Sequence, residues 1–308
     1  MRNLIIGVIN NYTYDKIEPW VVSLERTGYD GAKVLIAYNI SKETTDRLEQ
    51  KDITVFAFDK DLNGNCIYPE ISGFSLMVER FAHIWYFLTN NEEKFGQVII
   101  TDVGDVVFQQ NPFHNTQMKH IWRECLVGSE NIRYEDEPWG KNNMVHSFGP
   151  MIYETVKENP IFCAGVIAGE SNAITDLCLA IYLMCRGTPG HVQGGGGPDQ
   201  AALNVLLSLQ PYKMSVTKSY GSFVAHMGTS PQAVASGSGG AGEIYKDRLD
   251  EYQKLLIWNK ETELRMDEDT NLIYVNGNLV DILHQYNRIP MWDLIIQEKY
   301  RELTHGHS

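Results

Sequence analysis

Two aspartates, three positions apart, follow an apolar run in the first half of the chain. Asp102 and Asp105 stand in VIITDVGDVVF, directly after Val98–Thr101 and in a turn that contains Gly104. Two carboxylates held together at a strand end repel each other unless a cation lies between them, and hard divalent ions bind carboxylate oxygens. The pattern predicts a Mn²⁺ or Mg²⁺ site at Asp102 and Asp105. A solvated turn, with Asp102 as a cap, is the alternative.

A second group of polar residues opens the run PDQAALN. Asp199 at the start of a predicted helix could cap it or approach a substrate. Gln200 and Asn204 fall one turn apart on the same helix face. Because this pairing has no evident structural purpose in the sequence, we expect Asp199 and Gln200 to act on a substrate.

Two histidines stand at ends of apolar runs late in the chain. His284 follows the predicted strand Leu279–Leu283 and begins the polar run HQYNR, in which Arg288 could bind a phosphate. His226 lies in VAHMGTS. A neutral imidazole at a strand end is a suitable metal ligand, and we favour His284 over His226 for this role.

Alternating β-rich runs and helical patterns in the first hundred residues predict a mostly parallel sheet with helices on its faces. Strands are predicted at Leu4–Ile9, Val34–Ala37, Ile53–Phe58 and Val98–Thr101, with a helix from Thr13 to Gly28 and an apolar helical stripe from Phe74 to Leu88. Ligands of such α/β folds bind at the carboxyl ends of the strands. The residues expected at this edge are Asn10, Asn11, Tyr12, Asn39, Asp59 and Asp102 to Asp105.

The second half of the chain has a less regular pattern. Gly194–Gly197 and Ser236–Gly242 are predicted to be mobile loops, either plain linkers or a lid, because glycine runs are unfavourable inside helices and strands. A strand–turn–strand is predicted around Asn276-Gly277 and a closing helix over Ile289–Tyr300, with Pro290 in its first turn. No clear boundary divides residues 1–308, so a single domain with a C-terminal extension is predicted.

Composition narrows the class of protein. The 308 residues are 43% hydrophobic and 21% charged, and the formal net charge is −13, which argues against nucleic acid as a partner. The five cysteines show neither zinc-site spacing nor a disulfide pattern, and no apolar run approaches the roughly 20 residues of a transmembrane helix. Met1 to Tyr12 fits a first strand better than a signal peptide. We therefore expect a cytoplasmic protein without a transmembrane segment.

The run ITDVGDVVFQQNPF resembles the D-x-D region of GT-A-type glycosyltransferases, in a D-x-x-D variant. PIFCAGVIAG, with Gly165, is similar to the family segment beside the donor sugar, although Cys163 stands where asparagine is commoner. PDQAALN is similar to the helix start whose Asp and Gln approach the transferred sugar. The resemblance implies a GT-A-type, Rossmann-like fold, with a nucleotide-binding half (1–113) and an acceptor-binding half with a C-terminal extension (114–308).

The resemblance also implies roles for individual residues. Asp102, Asp105 and His284 would bind the metal ion, and Asp199 and Gln200 would be catalytic. The residues expected to bind the nucleotide sugar are Asn10, Asn11, Tyr12, Arg80, Asp102, Gly165 and Arg288. For Arg80, a surface ion pair is an equal alternative.

The implied reaction is transfer of a hexose or pentose from a nucleotide diphosphate sugar, with UDP favoured, to a glycan or other hydroxyl acceptor. A retaining outcome is favoured over inversion. One alternative is a sugar nucleotidyltransferase, although GVINNYTYDK lacks the Gly-rich phosphate loop expected after the first strand. The other is a non-catalytic carbohydrate-binding protein, which the 16 Tyr and 6 Trp residues could support by stacking on sugars.

Overall fold

The structure is a computed structural model that describes residues 1–68, 75–120, 124–188, 196–208, 213–217, 221–257 and 263–301. The strands are β1 (Leu4–Asn10), β2 (Ala32–Tyr38), β3 (Thr54–Phe56), β4 (Asp59–Lys60), β5 (Cys66–Ile67), β6 (Gln97–Thr101), β7 (Val106–Phe108), β8 (Glu124–Arg133), β9 (Pro160–Glu170), β10 (Lys213–Thr217), β11 (Val224–His226), β12 (Leu264–Met266), β13 (Ile273–Val275), β14 (Asn278–Leu279) and β15 (Ile282–His284). The helices are α1 (Tyr14–Arg26), α2 (Lys42–Gln50), α3 (Leu76–Asn90), α4 (Thr116–His120), α5 (Pro138–Val156), α6 (Ser171–Cys185), α7 (Asp199–Ser208), α8 (Pro231–Ala235), α9 (Gly239–Tyr245), α10 (Leu249–Leu255) and α11 (Pro290–Arg301). Two short 3-10 helices lie at Pro112–His114 and Tyr286–Arg288.

A mixed sheet in the order β10-β8-β9-β6-β1-β2-β3 forms the centre of the fold. Its pairings are parallel except those of β9, which runs antiparallel to both β6 and β8. The predicted α/β class with a mostly parallel sheet is therefore confirmed. Strands from both halves of the chain contribute to this one sheet. No helix in the described parts of the chain is long and apolar enough to cross a membrane.

Alternating residues of the central strands supply the core on both faces of the sheet. Ile5 and Ile9 of β1 belong to the same buried cluster as Trp20 of α1. Leu4 and Ile6 point to the other face, into the cluster that contains helices α3, α6 and α7. Burial on both faces explains why the strands read as nearly continuous apolar runs.

A three-stranded sheet in the order β11-β15-β7 joins the C-terminal part of the chain to the first half. β15 runs parallel to β11, with His284 opposite His226, and antiparallel to β7, with His284 opposite Val106. Val106 directly follows Asp105. This register therefore brings the last residue of β15 beside the predicted metal-binding loop.

Two predicted elements of the second half are wrong. Leu279–Leu283 is not one strand, because the carbonyl groups of Val280 and Asp281 accept hydrogen bonds from Gln109 and separate β14 from β15. Ser236–Gly242 is not a continuous loop, since α9 begins at Gly239. Gly194 and Gly195 of the other glycine run lie outside the described residues.

Candidate functional site

An open cleft of about 470 Å³ lies at the carboxyl ends of β1 and β6. From β1 the chain proceeds through β2 and β3 to one side, whereas β6 lies on the other side of β1. Helix connections diverge at such a switch point, which leaves a crevice for a ligand. The residues around the cleft are Val8, Asn10, Tyr12, Lys16, Ser75, Leu76, Met77, Arg80, Asp102, Val103, Gly104, Asp105 and Asn287.

Asp102 and Asp105 line this cleft, and the buried His284 lies beside both of them. The His284 Nε2 atom lies 3.5 Å from Asp102 Oδ2 and 3.7 Å from Asp105 Oδ1. One ligand atom from each residue lies within 4.8 Å of the others. Neighbouring ligands of an octahedral ion with bonds of about 2.1 Å are about 3.0 Å apart. The two separations from His284 exceed this spacing by about 0.5 and 0.7 Å, so the three side chains would hold a divalent ion after a closure of about that size.

Backbone pairing holds the three side chains in place. The Asp102 amide donates to the Gly165 carbonyl at 2.7 Å, and the Gln285 amide donates to the Asp105 carbonyl at 2.9 Å. Gln285 adopts φ 61°, a left-handed conformation that ends β15 immediately after His284. Each residue of the cluster is thus fixed by a different strand end.

Gly165 provides the space that the His284 ring occupies. A Cβ atom at position 165 would lie 2.2 Å from His284 Cε1 and 2.6 Å from Nε2. The resemblance places Gly165 beside the donor sugar, but in the structure it contacts a proposed metal ligand. Its backbone also supports Asp102.

Arg80 joins the acidic cluster to the start of α7. Its guanidinium donates to Asp102 and, at 3.0 Å, to Asp199 Oδ2. Asp199 is buried, and it is absent from the described residues that surround the cleft. Asp199 could therefore meet a substrate only if the Arg80 bridge opened, whereas Arg80 itself faces the cleft.

The ionisation of the cluster follows from burial and these contacts. Burial opposes the charge of Asp102, but Arg80 and His284 hold the pKa of Asp102 well below its usual range. Burial and the nearby Asp102 charge raise the pKa of Asp105 despite the opposing effect of His284. Burial lowers the pKa of His284, but Asp105 and Asp102 outweigh burial and raise it overall. The site thus has an excess of negative charge that a cation would relieve.

Gln200 and Asn204 have structural partners that the sequence did not reveal. Asn204 accepts from the Phe162 amide and donates to the Phe162 carbonyl, both at 2.8 Å. Gln200 accepts from the Ala164 amide at 3.3 Å and donates to Glu130 at 3.2 Å. Their shared helix face therefore binds the edge of β9, so the argument that they lack a structural purpose is wrong.

The remaining predicted ligand residues fall into two groups. Asn10 and Tyr12 face the cleft, whereas Asn11 is exposed at φ 56° and is not among the cleft residues. Arg288 is exposed outside the cleft, although its charge lowers the pKa of Asp105. Lys16, in the first turn of α1, also lines the cleft and was not predicted. The same strand-end argument that selected Tyr12 could have found it.

Behind His284 lies a second buried group that the prediction did not include. His226 Nδ1 lies 2.9 Å from His284 Nδ1, and Cys163 Sγ lies 3.6 Å from the same nitrogen. Glu130 lies beside Cys163, and burial together with Glu137 raises the pKa of Glu130 to about 7. His284 therefore faces two clusters, one through each ring nitrogen.

Comparison with known proteins does not assign the chain to a family. No family model matches the sequence, and no curated protein matches it either. The glycosyltransferase resemblance of the Asp102–Phe113 region stays a prediction. Inference about function therefore rests on the arrangement of the residues themselves.

Proposed function

We propose that the chain is a GT-A-type glycosyltransferase that depends on Mn²⁺ or Mg²⁺. It transfers a hexose or pentose from a nucleotide diphosphate sugar, with a UDP-sugar as the favoured donor, to a hydroxyl group of a glycan or other acceptor. The observation that carries the proposal is the convergence of His284 on Asp102 and Asp105, which line the cleft at the β1–β6 switch point.

Charge explains why this cleft suits a diphosphate. Asp102, Asp105 and Asp199 bring three carboxylates to the site, and Arg80 supplies one positive charge. A bound dication balances the remaining two charges. Lys16 at the cleft wall then supplies positive charge for the diphosphate.

Bond cleavage at the anomeric carbon leaves a nucleoside diphosphate, and its developing charge needs stabilisation. The metal ion, when bound, supplies Lewis acidity to the diphosphate oxygens. Lys16 adds electrostatic stabilisation from the protein, whereas the charge of Arg80 is mostly balanced by Asp102 and Asp199. Asn10 and Tyr12 lie where they can contact the nucleoside part.

Calorimetry with UDP, Mn²⁺ and EDTA tests the proposal. We expect UDP to bind in the presence of Mn²⁺ and to lose most of its affinity in excess EDTA. Asp105→Asn should abolish the metal dependence, whereas Asp59→Asn, a change at an exposed strand residue outside the cleft, should not. Equal UDP affinity with metal and with EDTA would refute the metal assignment.

Turnover separates the proposed activity from its rivals. A panel of nucleotide sugars with Mn²⁺ should give slow donor hydrolysis for at least one member, and more rapid loss of donor with an acceptor. Release of pyrophosphate from a nucleoside triphosphate and a sugar phosphate would instead identify a nucleotidyltransferase. Metal-independent sugar binding without turnover would identify a carbohydrate-binding protein.

A further inference from the structure

We propose that Cys163, His226 and His284 form a second metal site, selective for Zn²⁺, whose occupation removes His284 from the Asp102–Asp105 site. Each of the three residues offers one ligand atom within 4.8 Å of the others, and His284 Nδ1 lies near both Cys163 Sγ and His226 Nδ1. The three side chains are almost completely buried. The zinc site goes beyond the proposed function, whereas its coupling to Asp102 and Asp105 rests on the metal site of that function.

The distances fit zinc. With Zn–S of about 2.3 Å and Zn–N of about 2.05 Å, tetrahedral geometry requires S···N of about 3.6 Å and N···N of about 3.4 Å. The observed Cys163 Sγ to His284 Nδ1 distance is 3.6 Å, and the separation between the two Nδ1 atoms is 2.9 Å. The histidine pair would have to open by about half an ångström.

Ligand type separates the two sites. A thiolate and two imidazoles suit Zn²⁺, whereas two carboxylates and one imidazole also suit Mn²⁺ and Mg²⁺. Zinc binding displaces the Cys163 thiol proton to solvent. The resulting thiolate and the carboxylate of Glu130 beside it balance the charge of the buried dication.

One imidazole proton couples the sites. When His284 Nε2 binds a metal at Asp102 and Asp105, its ring proton is on Nδ1, where it is donated to His226 Nδ1. When zinc takes both Nδ1 atoms, each neutral ring carries its proton on Nε2 instead. The Nε2–H of His284 then points at the two aspartates and cannot be a ligand. We call Cys163, His226 and His284 the inner site, and Asp102, Asp105 and His284 the outer site. Zinc in the inner site therefore weakens Mn²⁺ binding in the outer site.

Co²⁺ added to the metal-free protein as a spectroscopic reporter tests the inner site directly. We expect a thiolate-to-cobalt charge-transfer band that Zn²⁺ bleaches. The band should be lost in Cys163→Ser and retained in Cys66→Ser, a change at a buried cysteine next to the Thr45 hydroxyl. It should also persist in Asp105→Asn, which damages only the outer site. A band that survives Cys163→Ser, or no band at all, would overturn the proposal.

Competition tests the coupling. Zn²⁺ also has higher affinity than Mn²⁺ for ordinary nitrogen and oxygen sites, so the comparison is between variants. In Mn²⁺ EPR titrations, about ten-fold more Zn²⁺ should be needed to displace Mn²⁺ from Cys163→Ser than from the unaltered protein. If Cys163→Ser and the unaltered protein needed the same Zn²⁺ concentration to displace Mn²⁺, the coupling would be refuted.

A measurement on the unaltered protein guards against a folding defect in the variant. Zn²⁺ should slow alkylation of Cys163 but not of Cys66, as read by mass spectrometry of peptides. Unchanged Cys163 alkylation would contradict zinc binding there. If the unaltered protein did not bind Mn²⁺ while Zn²⁺ still protected Cys163 from alkylation, the result would count against the proposed glycosyltransferase. The inner site would remain supported.

Discussion

The substitution Gly165→Ala probes whether the position of His284 determines metal binding. The added Cβ would lie 2.2 Å from His284 Cε1. Ordinary contact between carbon atoms begins at about 3.5 Å, so the ring has to retreat by about 1.3 Å. His284 is only 2% exposed, and its Nδ1 side already contacts His226 and Cys163. The retreat therefore strains packed neighbours.

The retreat of His284 should weaken both metal binding and the fold. Ligand distances in metal sites hold to within about 0.2 Å, so a shift of about 1 Å removes His284 from the coordination sphere. We expect Mn²⁺ affinity to fall by about 10- to 100-fold, or about 1.4–2.7 kcal/mol. Overpacking should lower the free energy of unfolding by about 1–3 kcal/mol.

Mn²⁺ affinity by EPR and urea unfolding without metal measure the two effects separately. Gly187→Ala is the matched control, because a Cβ at position 187 has no atom within 4 Å and the residue is not left-handed. Gly187→Ala should leave both the Mn²⁺ affinity and the free energy of unfolding nearly unchanged. Wild-type Mn²⁺ affinity in a folded Gly165→Ala protein would refute the assignment of His284 as a ligand.

Two further predictions concern the histidine pair and a buried carboxyl group. His284→Ala should weaken Mn²⁺ binding far more than His226→Ala, for which about ten-fold is expected because it only orients the ligand; the reverse order in EPR titrations would make His226 the ligand. Burial raises the pKa of Asp281 to about 7, so the folded state favours its protonated form. The contribution of Asp281 to the free energy of unfolding is fully present below about pH 4. It is lost as the pH rises to 7, and the loss amounts to at most about 4 kcal/mol. Asp281→Asn should flatten this part of the pH dependence in urea unfolding at pH 5 and 8, and an unchanged slope would contradict it.

Local patterns predicted the first half of the fold well. The apolar runs at Leu4–Ile9 and Val98–Thr101 correspond to β1 and β6, because strands buried on both faces consist of little but apolar residues. The strand-end rule then placed Asn10 and Asp102 at one edge. Each of these inferences needs only residues near each other in sequence, or a general property of parallel sheets.

Long-range pairing explains what the sequence could not reveal. His284 reaches Asp105 because β15 pairs with β7, and it reaches His226 because β15 pairs with β11. Neither register follows from periodicity. The α9 helix also forms although its sequence, GGAGEIY, contains three glycines, which have low helix propensity. A Cβ at Gly242 would lie 2.4 Å from the Gly237 carbonyl carbon, so glycine there permits a contact that no other residue could make.

The placement of Arg80 bears on the diphosphate binding that we propose for this acidic protein. Its guanidinium is shared by Asp102 and Asp199, so most of its charge is balanced within the protein. Breaking a buried ion pair of this kind is costly, because the break leaves an unpaired charge inside the protein. In the proposed function, the positive charge that a diphosphate meets would come from an added dication and from Lys16. For this reason the proposed function assigns diphosphate binding to a metal ion in the cleft rather than to a basic surface, in a chain whose formal net charge is −13.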